Sequence, residues 1–177
     1  MPRPILKFIA DFGEKLCSLK YLEGKFREGI DRELKLSQDK EIQLDLLDES
    51  DIFAWVAKIV GPQGTPYEGG TFELSLKCPP TYPLAPPKVL FVTPVFHPNV
   101  LFKTGEICLD ILKPDAWTPA WTLQSVCRAV AALLAHPEAD SPLNCDCGNL
   151  IRNGDLRGYR SMAKMYTRLH AMPYEGW

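Results

Sequence analysis

His97-Pro98-Asn99-Val100-Leu101-Phe102-Lys103-Thr104-Gly105-Glu106-Ile107-Cys108-Leu109-Asp110-Ile111-Leu112 is the stretch on which the reading of this chain turns. It sets Cys108 between the aliphatic residues Ile107 and Leu109, just after a turn-forming Thr104-Gly105 pair. Asn99 lies nine positions upstream, behind a His-Pro step. A cysteine and a positioned amide are the parts that acyl transfer requires. The thiol carries the acyl group as a thioester, and an amide N–H can donate to the oxyanion formed when that thioester is attacked. Taken alone, a cysteine between Ile and Leu is more often a buried structural thiol, so its surroundings decide.

Downstream follows Lys113-Pro114-Asp115-Ala116-Trp117-Thr118-Pro119-Ala120-Trp121. Upstream stand Gly61-Pro62, then Thr65-Pro66-Tyr67-Glu68-Gly69-Gly70, then Tyr82-Pro83-Leu84-Ala85-Pro86-Pro87-Lys88. In this order, these motifs resemble the ubiquitin-conjugating enzyme family over most of the chain, from about Ile30 to the C-terminal helices. The spacing from Asn99 to Cys108 is one residue longer than is usual there, and the turn Val100–Thr104 is where the extra residue fits. Two stretches, 113–121 and Asp140-Ser141-Pro142-Leu143 running into Gly148–Asp155, are most similar to the peroxisomal members of that family.

The periodicity of the chain gives an independent outline. Residues 1–21 carry Ile5, Phe8, Ile9, Phe12, Leu16 and Leu19, a helical apolar stripe. They are expected to form a helical extension ahead of a catalytic domain spanning 22–177. A first domain helix is expected over about Leu22–Leu36, weakened by Gly24 and Gly29 at ~1 kcal/mol each relative to Ala. Strands are expected at Glu41–Leu47, Ile52–Val60, Thr71–Lys77 and Lys88–Val92, where apolar residues alternate or β-branched ones cluster. Gly-Pro punctuation separates the second from the third. The back half is helical. Leu123, Val126, Val130, Leu133 and Leu134 recur at helical spacing after Thr122, a plausible N-cap, and His136-Pro137 ends that helix. A second helical region follows Pro142, and a last helix runs over about Asp155–His170. Strands first and helices last make an α+β layer. The resemblance implies the same: an N-terminal helix, a four-stranded antiparallel meander sheet and C-terminal helices. It also implies a cis peptide within Tyr82–Pro87, expected before Pro87.

Composition excludes several classes. At 177 residues and net charge −2 the chain suits one domain and carries no nucleic-acid footprint. No run of eighteen apolar residues offers a membrane span, and the N-terminus does not read as a secretory leader. A reducing, cytosolic setting is expected, with the six cysteines mostly reduced. Cys145-Asp146-Cys147 has no second close pair of Cys or His, so no metal is expected.

The resemblance assigns roles to particular residues. Cys108 is the nucleophile that takes ubiquitin from the activating enzyme's thioester. Asn99 is the oxyanion donor, although a turn asparagine bracing the loop fits the same position. His97 and Asp110 brace the loop. Asp140 and Ser141 flank the incoming nucleophile, where a carboxylate could orient or deprotonate a lysine. A serine there would suit an acceptor that ionises more readily, such as a cysteine thiol with pKa near 8.5. Leu84 in one loop, and Pro119 and Ala120 in another, are the ligase-docking positions, and Trp117 is expected in the core.

The resemblance further implies ubiquitin, the activating enzyme and a RING-type ligase as partners, with no bound cofactor and ATP consumed only by the activating enzyme. For the peroxisomal members it implies a membrane-anchored peroxin partner, and hence a protein held peripherally on the cytosolic face of the peroxisome, without direct membrane insertion. Import receptors for matrix proteins would be the substrates. Two other readings remain open: a conjugating enzyme for another pathway or ubiquitin-like modifier, and a cysteine hydrolase, for which His97, His136 and His170 offer no hydrolase motif.

Overall fold

The computed structural model describes residues 41–48 and 50–172. The expected extension and first helix, within residues 1–40, lie outside them. The described part opens with four strands: β1 (Ile42–Asp48), β2 (Asp51–Val60), β3 (Thr71–Lys77) and β4 (Lys88–Phe91). They pair antiparallel in the order β1-β2-β3-β4, the expected meander, with ends differing by at most a residue.

Alternation dictates the two faces of this sheet. Ile42 and Leu44 of β1, Trp55, Ala57 and Ile59 of β2, Phe72, Leu74 and Leu76 of β3, and Val89 and Phe91 of β4 are all buried. Register carries the pattern across strands, with Ala57 opposite Leu44 and Leu74, and Leu74 opposite Phe91. One apolar face therefore runs through all four strands.

The helix α1 (Leu123–Ala135) adds Leu123, Val126, Val130 and Leu134 to that core. Thr122 caps it: its side chain accepts from Ser125 N–H at 3.0 Å, and Ser125 Oγ accepts from Thr122 N–H at 2.7 Å. This reciprocal pair satisfies two donors at the helix start. Two more helices follow, α2 (Cys145–Arg152) and α3 (Leu156–His170), capped by Asn144 and Asp155.

A buried hydroxyl pair ties α3 to the loops ahead of the site. Tyr67 donates to the Phe96 carbonyl at 2.8 Å, so the 3.0 Å contact between hydroxyls is Tyr159 donating to Tyr67. Burial raises the pKa of both tyrosines, Tyr159 to about 12.

The proline-rich connection between β3 and β4 corrects one expectation. The cis bond lies at Tyr82–Pro83, not before Pro87. Leu84 N–H donates to the Thr81 carbonyl at 2.8 Å, closing a four-residue turn with Pro83 at its third position. That is where a type VI turn requires cis proline. Pro87 instead leads into extended β4, which a trans bond serves.

Candidate active site

Cys108 sits on the returning arm of a small hairpin. Val100 faces Ile107 in an isolated bridge, Leu101 N–H donates to the Glu106 carbonyl, and Gly105 N–H donates to the Leu101 carbonyl, both at 2.8 Å. Gly105 lies at φ +73°, and a Cβ there would stand 2.0 Å from the Phe91 carbonyl oxygen. Only glycine allows that approach, and through it Phe91 N–H donates to the Gly105 carbonyl at 2.9 Å. The cysteine arm is thus fastened to the sheet's last strand.

The chain before Asn99 is held from inside. His97 is fully buried. Asn99 N–H donates to its Nδ1 at 3.2 Å, which leaves the proton on Nε2 to donate to the Leu133 carbonyl of α1 at 3.0 Å. Both ring nitrogens are engaged, and burial lowers the pKa to about 4. The imidazole is neutral and fixed, with no free nitrogen for general-base work.

This burial has a consequence for stability. At pH above the ordinary value of 6.5 neither the folded nor the unfolded chain protonates His97. Between 6.5 and about 4 the unfolded chain takes the proton and the folded one resists. Stability is present above 6.5 and lost as pH falls, by up to about 3 kcal/mol near the folded pKa. Urea unfolding at stepped pH should show a slope that is shallower by about one proton in His97→Gln. Parallel slopes would assign the acid sensitivity to other groups.

Asn99 is buried and uses both ends of its amide. Nδ2 donates to the Glu138 carbonyl at 2.9 Å, and Oδ1 accepts from Glu138 N–H at 2.8 Å. Its own carbonyl accepts from Cys108 N–H at 2.9 Å. One residue earlier, the Pro98 carbonyl accepts from Leu143 N–H at 2.8 Å and Asn144 N–H at 3.0 Å. Two consecutive residues therefore grip the cysteine on one side and the segment 138–144 on the other. Asp140 and Ser141 are exposed in that segment. Sequence reasoning gave no hint of Glu138, because its contribution is main-chain N–H and C=O, which every residue but proline has.

Cys108 is half-buried and lines a shallow groove of about 510 Å³ with Pro87, Leu109, Leu112, Lys113 and Leu143. The short 3-10 helix Asp110–Leu112 follows the cysteine, and its Leu112 lines the groove. Asp110 is exposed, and its carboxylate accepts from Lys113 Nζ at 2.6 Å. That bond and the carboxylate's charge raise the Lys113 pKa, with Cys108 adding a smaller push the same way. Asp110 thus holds a lysine at the rim of the groove.

The two candidate docking loops meet. Trp117 is buried, as expected, and its indole N–H donates to the Pro83 carbonyl at 2.8 Å. Its ring lies 6.2 Å from that of Tyr82. This contact fastens the loop that carries exposed Leu84 to the loop that carries exposed Pro119 and Ala120. Of the remaining cysteines described, Cys78, Cys127 and Cys147 are buried, the last pushed up to about 12 by burial, and Cys145 is exposed.

A four-stranded meander backed by helices, with a half-buried cysteine on a strapped loop, defines a class of acyl carrier. The chain belongs to the ubiquitin-conjugating enzyme family, whose model matches residues 27–167. It is 62% identical over 151 residues to Protein PEROXIN-4 of Arabidopsis thaliana, covering 85% of this chain and 95% of that one. It is 60% identical to ubiquitin-conjugating enzyme E2 pex4 of Dictyostelium discoideum, over 78% of this chain and 95% of that one. Among solved structures, the E2 domain of a Toxoplasma gondii ubiquitin conjugating enzyme aligns with a TM-score of 0.76 at 36% identity, covering 82% of this chain and 98% of that chain. The chain is a ubiquitin-conjugating enzyme working through a thioester intermediate. Its partners are ubiquitin, the activating enzyme and a ligase.

Proposed function

We propose that ubiquitin is carried on Cys108 and passed, with a RING-type ligase docked at Leu84, Pro119 and Ala120, to an acceptor entering beside Asp140 and Ser141. The observation that carries this reading is the strap at Pro98 and Asn99, which bonds Cys108 on one side and the segment 138–144 on the other. Charging exchanges one thioester for another, so it is nearly thermoneutral and needs position more than a base. Transfer is more demanding. An amine nitrogen bonds to the thioester carbonyl carbon, the C–S bond breaks, Cys108 leaves as thiolate, and the amine's proton passes to solvent or to a nearby carboxylate. An oxyanion develops on the way. Asn99 Nδ2 has a second N–H beyond the one given to Glu138, and this is the candidate donor to it.

The test is charging itself. Given activating enzyme and ATP, which that enzyme alone consumes, ubiquitin should form a band on this chain that a thiol reductant removes. A panel of other modifiers with their own activating enzymes should form none. Charging by another modifier in place of ubiquitin would overturn the reading.

The relatives named peroxin and pex4 support a finer proposal: the enzyme acts at the cytosolic face of the peroxisome on import receptors for matrix proteins, supporting their recycling. No helix among the described residues is long and apolar enough to cross a membrane. The proposal assigns recruitment to a membrane-anchored peroxin partner. The protein should co-sediment with peroxisomal membranes that hold such a partner and not with membranes stripped of their proteins; equal recovery from both would refute this route.

A further inference from the structure

Gly148 lies in the first turn of α2, is buried, and has an ordinary helical backbone. Alanine is the better helix former at such a position. Yet a Cβ there would fall 2.5 Å from Pro142 Cγ and 2.6 Å from Pro142 Cβ. A proline ring cannot swing aside, because it is closed onto its own backbone nitrogen. Restoring contact at the usual carbon separation would displace the main chain around Pro142 by about 1 Å. That main chain joins Ser141 to Leu143. Leu143 is bonded to Pro98 and its side chain lines the Cys108 groove.

We propose that Gly148 is a positioning residue for the transfer step. The space left by its missing side chain seats the Pro142 ring, and the seat fixes where Asp140 and Ser141 stand relative to an acceptor attacking the Cys108 thioester. Three anchors then locate this gate: Asn99 on Glu138, the Pro98 carbonyl on Leu143 and Asn144, and Gly148 under Pro142. The inference rests on reading Asp140-Ser141 as the gate for the acceptor.

The experiment is a double-mutant cycle read by single-turnover discharge of the charged protein. Gly148→Ala should charge as the wild type does and discharge to free lysine roughly 10- to 100-fold more slowly, the scale expected for a 1 Å misplacement. Discharge to hydroxylamine, which is largely neutral near pH 7 and needs no deprotonation before it attacks, its proton passing to solvent afterwards, should stay within about twofold. A merely structural role would slow both nucleophiles together. Pro142→Gly removes both ring atoms that the new methyl group meets, so in that background Gly148→Ala should cost little.

The proposal is overturned by wild-type lysine discharge in Gly148→Ala, by equal losses for lysine and hydroxylamine, or by the same loss in both backgrounds. Should Gly148→Ala not fold, Pro142→Gly alone decides: it vacates the seat and should slow lysine selectively, and unchanged lysine discharge overturns the proposal. Failure of the underlying reading looks different. It appears as a wild type that does not charge on Cys108, or as Asp140→Ala with Ser141→Ala discharging normally to lysine.

Discussion

Cys108→Ser is expected to abolish every thiol-sensitive ubiquitin adduct on this protein. A serine hydroxyl is a far weaker nucleophile at neutral pH than a cysteine thiol, which is partly ionised there. Any adduct that forms on the variant should be an oxyester, slow to appear and resistant to thiol reductants. The competing thiols are few. Cys78, Cys127 and Cys147 are buried and inaccessible to a protein-sized donor. Cys145 is exposed, but it lines a different cleft, with Phe102, Tyr166 and Asn149, and not the Cys108 groove. Cys145→Ser should therefore charge normally. Non-reducing gels of the two variants side by side make the comparison. A reducible band surviving Cys108→Ser would move the chemistry to Cys145 or to Cys17, which lies outside the described residues.

The parts of this protein that sequence reveals are those where residue type alone sets conformation. Phe72, Leu74 and Leu76 alternate because a strand has period two, so β3 is legible to the residue. Thr122 announces a helix start because its hydroxyl can take an orphan N–H. The motif around Cys108 is legible because a thiol, a glycine turn and an upstream asparagine are chemically distinctive. What stayed hidden depends on main-chain atoms or on distance. Glu138 enters the site through its backbone, so its side chain carries no signal. Gly148 reads as a weak helix residue until Pro142, six positions earlier, is seen against it. The cis bond falls in the expected loop but before Pro83 and not Pro87, because the turn closed by Thr81 and Leu84 is a hydrogen bond and not a composition. His97 illustrates both sides: its place beside Asn99 is plain in sequence, while its bond to Leu133 of α1 exists only in the fold.

Asn99→Ala is expected to slow discharge to lysine by roughly 100- to 1,000-fold, the loss associated with removing one oxyanion donor from an acyl-transfer site, while charging changes only a few-fold. The asymmetry follows from chemistry. Thiol exchange passes through an intermediate that a good leaving thiolate resolves easily, whereas an amine builds more charge on the carbonyl oxygen before the C–S bond yields. The structure adds a second expected loss. Removing the amide leaves Glu138 N–H and C=O without the partners they now have at 2.8 and 2.9 Å. Each partly buried group left unsatisfied costs on the order of 1 kcal/mol or more, so the variant should also unfold at lower denaturant. Asn99→Asp separates the two effects. Its carboxylate can still accept from Glu138 N–H, but its second oxygen stands against the Glu138 carbonyl that Nδ2 now serves, and it cannot donate to an oxyanion. If oxyanion donation governs the rate, Asn99→Asp should discharge lysine at least as slowly as Asn99→Ala. If the bond from Glu138 N–H governs it, Asn99→Asp should recover part of the rate, with no gain in stability required. Discharge at the wild-type rate in both variants would leave Asn99 with neither role, and the strap would then rest on the Pro98 and Asn99 carbonyls alone.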